Sequence, residues 1–279
     1  EGDRELVLVL GHSGVGKTAL VHELHRNIAE RRGSFALGKF DQFRRNVPYA
    51  SIIQAFGELA GRLLTEPEDR VAIWRYRIDE ALGAMAGVLT GLVPEVAILL
   101  GDRAPPEELD PDNSRNRLNR VMTRFVGVFA RPEHPLVLFL DDLQWADQAS
   151  LDLLRELIVS PDIGHLLVIG SYRSSEVDGA HPLAIELARI RGARPTSVRD
   201  LELPGLTRFR LTELLSDALG QSPESIEPLS DLLFDKTAGN PFFVHQFLGH
   251  LERQGLLRPD GGRGWSLDLA AVRQMGVTD

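Results

Sequence analysis

Leu6-Val-Leu-Val-Leu-Gly-His-Ser-Gly-Val-Gly-Lys-Thr18 joins an unbroken apolar run to a complete G-x-x-x-x-G-K-[ST] loop. The run Leu6 to Leu10 has the pattern of a strand buried on both faces, and the loop follows it with no spacer. Gly11, Gly14 and Gly16 can take backbone angles closed to residues with a Cβ, so successive N–H groups can turn inward and line an anion nest. A helix starting near Lys17 adds its unpaired amides and the positive end of its dipole at the same point. Lys17 then sets a cation against the β- and γ-phosphates of a nucleoside triphosphate, and the Thr18 hydroxyl suits a Mg²⁺ ligand. The binding set expected from this stretch is Gly11, Ser13, Gly14, Val15, Gly16, Lys17, Thr18 and Ala19, with ATP and Mg²⁺ as the cofactors.

A second signal sits where the first requires one. Leu136 to Leu140 is another continuous apolar run, and it ends in Asp141-Asp142. The carboxyl end of a buried parallel strand is where α/β sheets bind ligands, and this is a Walker B pattern. Asp141 is expected to hold Mg²⁺ with Thr18, and Asp142 to orient or activate the attacking water. The run from Leu166 ends Gly170-Ser-Tyr-Arg173, which puts Arg173 within reach of the γ-phosphate as a sensor. The catalytic set is therefore Lys17, Asp141, Asp142 and Arg173. Arg44, Arg45, Arg191 and Arg194 are each eligible as an arginine finger, but nothing in the chain selects among them, so turnover is expected to be slow.

Composition narrows the function classes. The 279 residues are 43% apolar, enough for one large α/β domain and a smaller appendage. No stretch approaches the length of a membrane span, and the first residues are charged, so a soluble, cytoplasmic piece of a longer polypeptide is expected. The formal charge of −9 offers no footprint for direct nucleic-acid contact, and the absence of cysteine excludes disulfides and cysteine-ligated zinc. His22 and His25 lack the H-E-x-x-H spacing of a zinc site, so no site of that kind is expected.

Strand-like runs at 6–10, 35–40, 136–140, 166–170 and 198–203 alternate with helical segments, the pattern of a parallel sheet covered on both faces. The three continuous runs belong inside the sheet, and the two broken by polar residues at its edges, giving the order 5-1-4-3-2. That order matches the additional-strand class of P-loop NTPases. Leu20, Leu24 and Ile28 mark one helix face; Leu118, Val121, Met122, Phe125 and Phe129 mark another. Asp147 is placed to cap the helix that carries Leu151, Leu154 and Ile158.

Between the second and third strands, about 48–130, lies a long helical insertion broken by the acidic, proline-rich loop Ala104 to Asp112. It reads as an elaboration on the surface of the nucleotide domain, which spans 1–204. Beyond Leu203 the strand pattern ceases. Helices at 207–219, 226–237 and 241–256 form a small C-terminal lid over 205–258, capped by Thr207 and Asn240, with Pro241 in the first helical position. Phe242, Phe243, Phe247 and Leu251 are expected to supply its core face. Residues 259–279 read as the start of a following segment. Trp145 is expected to brace the helix behind the site by packing.

Taken together, Gly11 to Thr18, Gly38-Lys-Phe-Asp-Gln42 with Pro48-Tyr49, Leu138 to Asp147, Gly170 to Arg173 and Gly239-Asn-Pro-Phe-Phe243 resemble the AAA-type ATPase module of the signal transduction ATPases with numerous domains (STAND). The chain is similar to the ATPase segment of bacterial multidomain proteins that couple a serine/threonine kinase-like domain to a sensor histidine kinase. The resemblance implies that Pro241 touches adenine, that Asp142 works with Asp141 on Mg²⁺ and water, and that hydrolysis serves as a switch between closed and open signalling states. It implies ATP or ADP and the other domains of the same polypeptide as partners, with nucleotide-dependent self-association. The glycine-arginine segment that helps hold adenine in relatives is expected to lie upstream of this sequence. The winged-helix region is expected to begin around Trp265. Two other readings compete with the regulatory ATPase: a small-molecule phosphotransferase using the 48–129 region as an acceptor pocket, and the ATPase switch of a transcription regulator.

Overall fold

Every residue of Leu136–Asp141 is buried, on both alternating faces. A strand of this kind needs layers above and below it, and its place in the sheet follows. The structure, a computed structural model, describes residues 3–104, 107, 109–259, 265–267 and 272. Contacts divide the chain into two units, Glu1–Leu10 with Thr18–Glu202 and Gly11–Lys17 with Leu203–Asp279.

In the first unit five parallel strands run in the order β2 (Ser34–Lys39), β3 (Leu136–Asp141), β4 (Leu166–Tyr172), β1 (Arg4–Leu10) and β5 (Val198–Glu202). This is the order the apolar patterns indicate. The edge strand β5 is largely exposed. The register aligns Leu140 with Gly170 and Lys39 with Asp141, so the carboxyl ends of β2, β3 and β4 finish side by side.

The helices between β1 and β3 are α1 (Lys17–His22), α2 (Leu24–Glu30), α3 (Ala50–Leu63), α4 (Glu68–Leu82), α5 (Ala86–Thr90), α6 (Pro94–Leu100) and α7 (Pro111–Phe129). The segment from α3 to α7 is no surface elaboration. Ile52, Phe56, Ile78, Leu89, Val121, Phe125 and Phe129 join Leu6, Leu8, Leu138 and Leu140 in one core. Phe125 lies 5.3 Å from Phe56 and 5.1 Å from Phe129, whose ring stacks on Trp74 at 5.2 Å. Patterning alone could not show this, since an amphipathic helix needs an apolar partner but does not name it. Within the loop Ala104 to Asp112, Pro105, Pro106 and Glu108 lie outside the described residues; Asp110 caps α7, accepting from the Asn113 N–H at 3.0 Å.

A second departure concerns α1 and α2. Leu20 and Leu24 are exposed, and Val21 is buried in their place. The helix breaks at Glu23, so the four-residue spacing does not continue as a single face. Trp145 is partly buried against the core, as a packing residue.

Helix α8 (Gln148–Val159) begins at Asp147, whose carboxylate accepts from the Ser150 N–H at 2.9 Å, the Ser150 hydroxyl at 2.6 Å and the Tyr49 N–H at 3.3 Å. Burial pushes the Tyr49 phenol up to about 12, leaving it a donor to Asn119 Oδ1 at 2.8 Å. Asp147→Ala leaves three donors without their acceptor and is expected to cost about 1–2 kcal/mol of stability, the upper range for a helix cap, readable as a lowered urea midpoint. Helix α9 (Pro182–Ala193) completes the unit, where Arg191 pairs with both oxygens of Asp200 and Arg194 with Asp3.

The second unit holds α10 (Arg208–Leu219), α11 (Pro223–Thr237) and α12 (Pro241–Arg253). Thr207 and Asn240 cap α10 and α12 through their side chains. Leu211, Leu215, Leu219, Ile226, Leu229, Leu233, Val244 and Leu251 form its core. Phe242 and Phe243 are about half exposed and do not join it. The buried face of α12 runs through Val244, Phe247, Leu248 and Leu251, an i, i+3, i+4, i+7 set that leaves both phenylalanines off the stripe. Strand structure does not cease at Leu203: β6 (Leu257–Pro259) and β7 (Trp265–Leu267) form an antiparallel pair. The glycine cluster 261–264 and most of the expected winged-helix region lie outside the described residues. Among the described residues no helix is long and apolar enough to cross a membrane.

Candidate nucleotide-binding site

The glycine loop Gly11–Lys17 belongs to the second unit and is peptide-linked to β1 and Thr18 of the first. Gly14 and Gly16 have φ of 79° and 100°, angles that L residues rarely adopt. A Cβ on Gly14 would meet Phe242 Cβ at 2.7 Å and Asn240 Oδ1 at 2.9 Å, so the side chain is excluded by space as well as by angle. Lys17 is 7% exposed, and its ammonium donates to the carbonyls of Gly11 and His12, each at 3.0 Å. On the outside of the loop, Asn240 Nδ2 donates to the Ser13 carbonyl at 2.8 Å and the Phe242 N–H to the Gly14 carbonyl at 3.2 Å. Pro241 lies between these two anchors, half-buried. Val15 is buried, and Ala19, one turn into α1, is exposed.

In the first unit the Thr18 hydroxyl donates to Asp141 Oδ2 at 2.9 Å. Asp141 is 2% exposed, and its other oxygen accepts from the Ser171 hydroxyl. Ser171 in turn accepts from the Asp142 N–H at 3.1 Å. One hydroxyl on β4 thus fixes both acidic residues at the end of β3, because the register sets Gly170 beside Leu140 and Ser171 one step further. A hydroxyl and a buried carboxylate converging at hydrogen-bond distance form a hard-oxygen pair, which fits Mg²⁺ bound through one or two protein oxygens plus phosphate and water.

Asp142 adopts the left-handed region, φ 59° and ψ 46°. Its Oδ1 accepts from Gln144 Nε2 at 3.1 Å, and Gln144 Oε1 accepts from the Arg173 N–H at 3.3 Å. Two cations flank the carboxylate: Arg173 Nε is 3.8 Å from Oδ1, and Lys39 Nζ is 3.8 Å from Oδ2 and 3.9 Å from Asp141 Oδ2. Arg173 also bonds Glu176 at 2.6 Å.

Thr18 and Asp141 therefore meet, and Asp142 and Arg173 lie next to each other. Four neighbours of these residues were not anticipated from sequence: Lys39, Ser171, Gln144 and Asn240 in its contact with the loop. Lys39 and Ser171 carried a readable signal, as each sits where its strand ends beside the end of β3. Gln144 and Asn240 carried none, since their partners depend on local turns. Of the four finger candidates, Arg191 and Arg194 are held in the ion pairs above, while Arg44 and Arg45 are exposed, with the Arg45 guanidinium 6.0 Å from the Trp145 ring centroid.

The sheet order, the glycine loop after β1 and the acidic pair after β3 define a P-loop nucleoside triphosphatase fold. The chain belongs to the AAA ATPase domain family, which its residues 1–169 match. It is similar to hybrid signal transduction histidine kinase G of Dictyostelium discoideum, at 34% identity over 160 residues that make up 57% of this chain and 5% of that protein. The chain thus spans a small fraction of the length of this relative. Among solved structures, Cdc6p from Pyrobaculum aerophilum resembles it with a TM-score of 0.50 and 15% identity, covering 91% of this chain and 57% of that one. At that identity the likeness is one of fold.

Proposed function

We propose that this chain is a Mg²⁺-dependent ATP-binding switch, hydrolysing ATP slowly, within a larger cytoplasmic signal-transduction protein of the multidomain kinase type. The observation that carries the reading is the 2.9 Å bond from Thr18, the residue that ends the glycine loop motif, to the buried carboxylate of Asp141. The AAA family match and the likeness to a hybrid signalling kinase support the setting. In this reading 1–204 is the nucleotide domain with its helical insertion about 48–130, 205–258 is a helical lid, and 259–279 begins a further segment. The other domains of the same polypeptide are its partners, with self-association governed by nucleotide. The net charge of −9 weighs against direct contact with nucleic acid, whose phosphates need a basic face.

The amides of Ser13, Gly14, Val15, Gly16, Lys17 and Thr18 bind the phosphate oxygens, and the Lys17 ammonium offsets their charge. Thr18 and Asp141 would hold Mg²⁺, and Ser171 keeps the Asp141 carboxylate in one orientation. Bound there, Mg²⁺ would supply Lewis acidity toward the phosphate oxygens. Asp142, fixed by Gln144, Lys39 and Arg173, orients a water whose oxygen bonds to the γ-phosphorus as the bridging oxygen leaves with ADP. Arg173 stabilises charge on the transferred group. Pro241 contacts the adenine.

Titration of labelled ATP, with and without Mg²⁺, into the wild type and Lys17→Ala tests the reading. The variant is expected to bind about 10- to 100-fold more weakly, the loss of a charge-assisted hydrogen bond of roughly 1.5–3 kcal/mol. Equal affinity for both proteins would remove the assignment.

A further inference from the structure

The glycine loop is held from outside by α12, and the direction of those bonds has a consequence for the amides inside. The Ser13 carbonyl points at Asn240 Nδ2, 2.8 Å away, and the Gly14 carbonyl at the Phe242 N–H, 3.2 Å away. Among the described residues every peptide bond is trans. In a planar trans peptide the carbonyl of one residue and the N–H of the next point in opposite directions. Drawing the Ser13 and Gly14 carbonyls outward therefore turns the N–H groups of Gly14 and Val15 toward the loop interior. The Val15 N–H donates to the His12 carbonyl at 3.5 Å, the same oxygen that accepts from Lys17 Nζ at 3.0 Å.

We propose that Asn240 is a positioning residue for polyphosphate: its side-chain amide sets the orientation of the loop's phosphate-facing N–H groups before the ligand arrives. The proposal rests on the reading that this loop holds the phosphates. It is distinct from the contact of Pro241 with adenine, because it acts on the phosphate end and needs no base. Asn240 has two separable roles. Its Oδ1 caps α12 by accepting from the Phe242 N–H at 3.1 Å, and its Nδ2 holds the loop. Serine and aspartate cap helices about as well as asparagine but carry no amide donor. Asn240→Ser keeps the cap and deletes the donor, while Asn240→Asp keeps the cap and sets a carboxylate oxygen against the Ser13 carbonyl.

The experiment measures binding of ATP and of inorganic tripolyphosphate to the full chain by calorimetry. Thermal melts and the Gly14 amide resonance in protein labelled with [¹⁵N]glycine are recorded alongside. Asn240→Ser is expected to weaken both ligands by the same factor, about 3- to 10-fold, as befits one neutral hydrogen bond. The Gly14 resonance should move in the ligand-free protein while the melting temperature stays within a degree or two of wild type, on the order expected for an intact cap. Asn240→Asp should weaken binding further, and it keeps the test open should the serine variant fold poorly. Wild-type affinity for both ligands in both variants, or a loss confined to ATP with tripolyphosphate unaffected, overturns the role of Asn240. If the wild type itself binds neither ligand, the nucleotide reading fails first, and the positioning role falls with it.

Discussion

Asp141→Asn is expected to lower ATP turnover by on the order of 10²–10³-fold, a loss of roughly 2.7–4 kcal/mol of transition-state stabilisation. Asparagine has nearly the same shape, and the hydroxyls of Thr18 and Ser171 can rotate to donate or accept, so the local packing survives. What is lost is one negative charge at a position 2% exposed, where few water molecules screen it. The half-saturating Mg²⁺ concentration should rise with the fall in turnover, while a urea titration should place the variant near the wild type. Unchanged turnover and an unchanged metal requirement would show that Asp141 does not hold the metal.

The largest effect on folding is expected at Phe125. Its ring is fully buried between Phe56 and Phe129, in the core shared by β1, β3, α3 and α7. Phe125→Ala removes apolar surface and leaves a cavity that close-packed neighbours fill only in part, a cost of about 3–5 kcal/mol. Trp74, stacked on Phe129, gives a fluorescence signal for the same unit. The urea midpoint should fall sharply, whereas Phe43→Ala, at a side chain 84% exposed, should stay within about 0.5 kcal/mol of wild type. A Phe125→Ala midpoint matching that of Phe43→Ala would mean that the α3–α7 segment does not share the core of the sheet.

The order of the sheet was legible because burial on one or two faces leaves different alternations in the strands. Leu136 to Leu140 had to be interior, and the polar breaks in Val198 to Leu203 had to face water. The glycine loop and the acidic pair were legible because their spacing is tied to chain direction: a loop after one strand, carboxylates after another. What could not be read were relations set by tertiary contact. The phenylalanines at 242 and 243 look like core residues until the face of α12 is known to pass through Val244 and Leu251. Leu20 and Leu24 mark a stripe only if the helix runs through Glu23, which it does not. Ser171 is one serine among many until the strand register sets it against Asp141, and Asn240 reads fully as a helix cap because its second hydrogen bond reaches a residue 227 positions away.

The left-handed backbone at Asp142 limits what evolution can place there. Branched and bulky side chains are strained at that angle, which glycine, asparagine and aspartate tolerate with little penalty. Glycine offers nothing for the amide of Gln144 to bond. The usable alphabet shrinks to two isosteric letters that differ by one formal charge, so under the proposed role of Asp142 an exchange between a working hydrolase and a nucleotide-holding relative would need no repacking of the fold.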